Sequence, residues 1–158
     1  QMIRLGPLAE AELMQVLDGV EPPPPREQAA RAALAARAGG SARAAVLLTQ
    51  YGGLEIAEAL GAVASAPSLD VAAAYRLAEA VAGRDQAVQF GIFNRRALDL
   101  LAEAASAAAA TGDLARAKAL ADAWQEALEA VSETETYNLD KKQHALAMID
   151  RLNSVMRM

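Results

Sequence analysis

The sequence predicts an all-α fold, with a small three-helix unit followed by a five-helix bundle. Three observations carry this. Hydrophobic residues fill 54% of the 158 positions, and much of that share is alanine, the strongest helix former and a poor filler of core volume. Apolar residues recur at three-four spacing through most of the chain. Glycine, proline and capping residues punctuate that pattern, and strand signals are absent after Leu5.

Residues 2–5 read like the end of a buried strand, and the chain does not open with methionine. Together these predict a piece cut from a longer protein. Pro7 followed by Leu8 starts a helix in which Leu8, Leu13, Leu17 and Val20 recur at helical spacing. Glu10 and Glu12 suit the dipole of its early turns. Four consecutive prolines at 22–25 must stop that helix and form an extended spacer. A second helix is expected over residues 26–38, closed by Gly39 and Gly40. Ser41 caps a third, carrying Ala44, Ala45, Leu47 and Leu48. Tyr51-Gly52-Gly53 breaks it. The domain boundary is placed there, dividing residues 1–51 from residues 52–158.

Five longer helices are expected in the remainder. The first covers residues 54–65 and stops before Pro67. The second is capped by Ser68 or Asp70 and ends at Gly83. A long helix over 85–110 places Phe90, Phe93, Ala97, Leu100 and Ala104 on one stripe. Thr111-Gly112-Asp113 is a turn. The next helix covers 114–131, with Ala117, Ala121, Trp124 and Leu128 on one face. Residues 132–137 read as a loop, and Asn138 as the cap of the last helix. That helix carries Ala145, Met148, Ile149, Leu152, Val155 and Met156.

Composition narrows the chemistry. The absence of cysteine excludes disulfides, thiolate metal sites and cysteine nucleophiles, and suits a reducing, cytoplasmic setting. A net charge of −5 with interspersed signs argues against a nucleic-acid-binding face. No apolar run is long enough to span a bilayer, and no signal peptide opens the chain. The lone histidine, His144, has no partner for a di-iron or zinc site, since the residue three before it is Lys141. It is expected at the surface or boundary of the last helix. Serines at 41, 68 and 132 have capping or turn roles. Carboxylate pairs such as Glu55/Glu58 and Glu126/Glu129 could do acid–base work if buried, but alternate with alanine and arginine as solvated faces do. Neither a GxxxxGK[ST] nor a GxGxxG loop is present. No catalytic residue, metal ligand or cofactor is expected, and the chain reads as an interaction module.

One local motif stands apart. Gly39-Gly40-Ser41-Ala42-Arg43 places a glycine turn, a cap and an arginine at a helix start, where an arginine can project toward a phosphate beside free backbone N–H groups. A solvated arginine on a well-capped helix explains the same residues. The order of features adds to this motif. A strand end running into Arg4-Leu5-Gly6-Pro7-Leu8, a short helix, a linker, a second helix, then Gly-Ser-x-Arg opening a third resembles the lid domain of AAA+ clamp-loader proteins. The five-helix remainder resembles their collar domain. The closing stretch Tyr137-Asn138-Leu139-Asp140-Lys141-Lys142-Gln143 is similar to the C-terminal end of the delta-prime family of bacterial DNA polymerase III.

The resemblance implies that Gly40, Ser41 and Arg43 correspond to a nucleotide-sensing "sensor 2" segment. It implies assembly with delta and gamma/tau subunits through the collar, in a ring that loads the sliding clamp onto primed DNA during replication. DNA would be met only through the assembled complex, and no membrane is involved. The fragment itself would do no catalysis. The arginine stands one place earlier than in many delta-prime chains, as in gamma/tau, so a phosphate contact, a salt bridge and a relic all remain roles for Arg43. Trp124, Phe90 and Phe93 are candidate interface anchors, or else core residues on their stripes.

Two other readings compete. The segment Thr111-Gly112-Asp113-Leu114-Ala115-Arg116-Ala117 resembles the inter-repeat turn of tetratricopeptide proteins, which points to a helical-repeat scaffold. Such an array needs recurrence near every 34 residues, and no second clear copy is found. A small enzyme with a buried carboxylate pair is the third. Exposure of Glu58, Glu126 and Glu129 would remove it.

Overall fold

The computed structural model describes residues 6–21 and 23–158. Eight α-helices and no strand occur among them. They fall into two compact units, residues 1–54 and residues 55–158, a division three residues beyond the expected boundary. The strand expected over residues 2–5, and Pro22 of the proline run, lie outside the described residues.

The first unit holds α1 (Glu10–Leu17), α2 (Gln28–Ala38) and α3 (Ala42–Gln50). Helix α1 begins two residues later than expected. Extended Ala9 stands before it, and the Glu12 carboxylate reaches back to accept from the Ala9 N–H at 3.0 Å. Leu13, Leu17, Leu34, Ala38 and Ala45 make a small core, with Leu8, Val46, Leu48 and Leu54 packed around it. Three helices of eight to eleven residues can bury little, so polar ties matter here. Arg31 pairs with Asp18 at 3.2 Å, holding α2 to the end of α1. The Gln50 amide donates to the Glu21 carbonyl at 2.9 Å.

The second unit holds α4 (Gly53–Ser65, from its third residue on), α5 (Val71–Ala82), α6 (Ala87–Ala110), α7 (Leu114–Thr136) and α8 (Lys141–Met156). Helices α6 and α7 form its longest pair, an antiparallel hairpin closed by Thr111-Gly112-Asp113. Helix α8 then packs on α5, α7 and α6. Phe93, Leu60, Leu101, Leu120, Ile149 and Leu152 are fully buried where these helices meet. Each such side chain contributes roughly 1.5–3 kcal/mol of transfer free energy. Buried Ala97, Ala108, Ala123 and Ala127 let the backbones approach closely.

Helix starts follow short capping side chains. Ser41, Asp70, Asp113 and Asp140 each accept from the backbone N–H three residues on. Asp70, not Ser68, therefore caps α5. The last connection departs from expectation. Residues 132–136, read as loop, continue α7 for another turn and a half. Serine and threonine lower helix propensity only slightly, and Glu133 and Glu135 restore it. The Thr134 hydroxyl bonds back to the Ala130 carbonyl at 2.7 Å, so it does not compete with the helix. Asn138 is not the cap of α8. It takes a left-handed turn conformation (φ 49°), and Asp140 caps instead.

Candidate functional site

Three places come from the sequence candidates: the start of α3, the outer face of α7, and the surroundings of His144. The first lies in the small unit and the other two in the large one.

At the start of α3, Gly39 adopts the left-handed C-cap conformation and Gly40 follows with φ 76°. Gly40 also has a packing reason to be glycine. A Cβ there would stand 2.6 Å from the Pro7 Cβ and 2.7 Å from the Leu8 carbonyl oxygen. The Leu8 N–H donates to the Gly40 carbonyl at 3.0 Å. The turn thus binds the chain entering α1. Ser41 caps the helix through the Ala44 N–H at 3.3 Å. Arg43 is exposed in the first turn, and among the described residues no carboxylate pairs with it. Backbone N–H groups, one hydroxyl already engaged as a cap and one free guanidinium can meet an anion, but cannot by themselves carry out a reaction.

Helix α7 carries far more apolar surface than one packing contact needs. Leu120, Ala123, Ala127 and Thr134 face the core. A second stripe of Leu114, Ala117, Ala121, Trp124, Leu128 and Val131 runs beside it. At 3.6 residues per turn the two together span roughly 200° of the helix circumference. The face expected to carry Ala117, Ala121, Trp124 and Leu128 lies beside the core, with Ala117 packed against it and the rest exposed. Trp124 is 36% exposed and Leu128 41%. Phe90 and Phe93 go the other way. At 3% and 0% exposure they belong to the interior and cannot anchor a partner. Their position follows from α6 lying between α5, α7 and α8, so its Phe90–Phe93–Ala97–Leu101 stripe has neighbours to meet.

His144 is the clearest correction. It is 9% exposed, inside the large unit rather than at its surface. Its ring meets the edge of Phe90, with centroids 5.3 Å apart. Nδ1 lies 2.9 Å from the Thr134 hydroxyl and Nε2 2.9 Å from Asn94 Oδ1. The Thr134 hydrogen is used on the Ala130 carbonyl, so Nδ1–H donates to Thr134. With Oδ1 of Asn94 accepting, the ring needs a second proton on Nε2. A neutral ring takes instead Nδ2 of the turned Asn94 amide, which otherwise is a buried donor without a partner. Burial, and then the charge of Arg151, hold the His144 pKa below its ordinary value, so the neutral form belongs to the folded state. The group is a buried polar tie between α6, α7 and α8. The one hydroxyl in it, that of Thr134, is engaged on the Ala130 carbonyl.

Asn94 and Asn153, each nearly fully buried, were not singled out from sequence. Their signal was present: Asn94 interrupts the Phe90–Ala97–Leu101 stripe, and Asn153 follows Leu152 within the apolar stripe of α8. A polar residue at a core position is either an error or a bond to something specific. Glu55, Glu58, Glu126 and Glu129 are all exposed, which removes the buried-carboxylate enzyme reading. Among the described residues, no three histidine, aspartate or glutamate side chains gather as a metal site, and no helix is long and apolar enough to cross a membrane. No protein-family model matches this chain, and no curated protein or solved structure matches it.

Proposed function

We propose that this chain is the lid-plus-collar portion of a clamp-loader subunit of the bacterial DNA polymerase III delta-prime type, and that its work is assembly. One observation carries the reading: α3 opens on Gly40-Ser41-x-Arg43 within a small three-helix unit, and an all-α five-helix unit follows. In this reading the five-helix unit is the collar, meeting delta and gamma/tau neighbours, and Trp124 on the outer face of α7 is the anchor available to them. The chemistry of clamp loading resides in other subunits and in a nucleotide-binding domain ahead of this chain. DNA is contacted only through the complete ring.

The packing role of Gly40 weighs on Arg43. The glycine is needed to seat the chain at Leu8 whether or not a nucleotide is ever met. Arg43 alone, without a phosphate loop, should give no detectable ATP affinity by calorimetry, and micromolar binding would contradict this assignment. Co-assembly tests the whole reading. The chain, mixed with bacterial delta and gamma/tau subunits, should appear in native mass spectrometry at the mass of a mixed complex. Its absence from every complex would remove the clamp-loader assignment. The α6–α7 hairpin, turning on Thr111-Gly112-Asp113, favours a tetratricopeptide-like scaffold as the second reading. That reading would instead predict binding of an extended peptide with no need of the clamp-loader subunits.

A further inference from the structure

We infer that the last turn and a half of α7, residues 132–136, is an acid-released latch, held shut by the bond between Thr134 and a neutral His144 and opened as that ring takes up a proton. Little else holds this segment. Past Val131 the only buried side chain of α7 is Thr134. Ser132, Glu133, Glu135 and Thr136 are exposed, as is Tyr137 after them. Two backbone bonds close the corner. The Tyr137 N–H donates to the Glu133 carbonyl at 2.9 Å, and the Leu139 N–H to the Thr134 carbonyl at 3.0 Å. Unwinding the helix end breaks both and uncovers almost no apolar surface, which places the segment among the parts of a fold that open most readily.

The other side of the contact is anchored. Ala145, Met148 and Ile149 bury the first half of α8. Lys142 pairs with Glu79 of α5 at 2.7 Å, and Lys141 lies over the Phe90 ring, 5.4 Å from its centroid. The end of α7 is therefore the part that leaves. While it is in place, Nδ1–H donates to Thr134 and Nε2 accepts from the turned Asn94 amide, so both ring nitrogens are engaged and the ring is neutral. Once Thr134 departs, Nδ1–H meets water. Asn94 turns its Oδ1 to accept from Nε2–H, and the imidazolium is hydrated. Each opening takes up one proton from water.

The surrounding charges do not hold a cation in the closed contact. On α8, Arg151 and Lys141 are themselves positive, and Arg151 together with burial opposes protonation of the ring. Of the carboxylates on α7, Glu126 is taken by Arg151 at 3.5 Å, and Glu133 and Glu135 point to solvent. On α6, Arg95 and Arg96 pair with Asp99 and Glu103, and on α5 Glu79 is taken by Lys142. His144 is the single histidine of a chain without cysteine. It is therefore the one side chain whose ordinary titration falls between about pH 7.5 and 5.5. In the open segment the ring returns to its ordinary value of 6.5. Over that pH span the open population rises by up to about tenfold, the full value applying when the closed ring stays neutral.

This latch does not rest on the clamp-loader reading, and the two can fail separately. Amide hydrogen exchange on the 158-residue chain, read by NMR at both pH values and expressed as protection over the unstructured rate, tests it. The Tyr137 and Leu139 amides should lose up to about tenfold in protection at the lower pH. That loss should be insensitive to urea below the unfolding transition, because a local opening exposes little surface. The Leu101 amide in the middle of α6 supplies the contrast, with the steep urea dependence of global unfolding. His144→Gln should keep the helical circular dichroism and remove the pH response. The pH and urea series on the unaltered chain decides the matter even where that variant does not fold. Unchanged protection of both amides at the lower pH, as when the ring takes its proton in place, would overturn the proposal. So would a urea dependence equal to that of Leu101, or a pH response that persists in folded His144→Gln.

Discussion

Asn153→Ala should loosen the end of α4, and the reason begins with a proline. In a continuing helix the Val63 carbonyl would take the N–H of residue 67. That residue is Pro67, which has none. Asn153 of α8 supplies the missing donor: its Nδ2 lies 3.0 Å from the Val63 carbonyl and 2.9 Å from that of Ala66. Arg157, one turn further, reaches the Pro67 carbonyl at 3.4 Å. Truncating Asn153, which is 1% exposed, loses two hydrogen bonds worth about 0.5–1.5 kcal/mol each and leaves a buried carbonyl unsatisfied at about 1–3 kcal/mol. It also removes an orphan, since Asn153 Oδ1 has no partner. The net cost is about 2–3 kcal/mol. For a unit of this size that lowers Tm by roughly 10–20 °C.

Urea unfolding followed by circular dichroism measures it. The midpoint should fall while the slope stays constant. A cost below about 0.5 kcal/mol, the range of ordinary surface changes, would refute the capping argument. Asn153→Asp keeps the volume but aims an acceptor at two acceptors. It should be worse than alanine at neutral pH and recover on acidification, when a protonated carboxyl can donate.

Three further outcomes follow from the same structure. The His144 pKa is lowered from 6.5 by burial. As pH falls through that value the unfolded chain takes up a proton that the folded chain resists, so stability is complete above it and declines toward acid until the folded ring titrates too. Urea unfolding at neutral and mildly acidic pH should show that decline, and His144→Gln should flatten it. Phe93→Ala should cost about 3–5 kcal/mol as a core cavity, whereas Trp124→Ala at the outer face should cost under about 1 kcal/mol in the monomer; denaturant midpoints separate them. Gly40→Ala combines a left-handed backbone with a Cβ driven into Pro7 and Leu8, and should cost about 2–3 kcal/mol in the small unit, while Arg43→Ala stays within about 0.5 kcal/mol. Thermal melts and limited proteolysis of residues 1–54 would check the pair.

The sequence by itself determined the helical class and most helix starts. Those depend on neighbours along the chain. Gly39 adopts a left-handed turn because it lacks a Cβ, and Ser41, Asp70 and Asp113 accept from N–H groups three residues away. Residues 132–136 were misread for a related reason. Local propensity there is nearly balanced, and burial of Thr134 against His144 of α8 favours the helix. Only tertiary structure decided which way each helix faces. On α7 the apolar arc is wider than any single contact, so periodicity permitted either stripe to be inside. Packing against α6 and α8 chose Leu120 and Ala127, and left Trp124 outside. The same packing buried His144, whose ring nitrogens meet partners ten and fifty residues away. No spacing within one helix could announce a bond between Thr134, His144 and Asn94, because three helices had to meet before it existed.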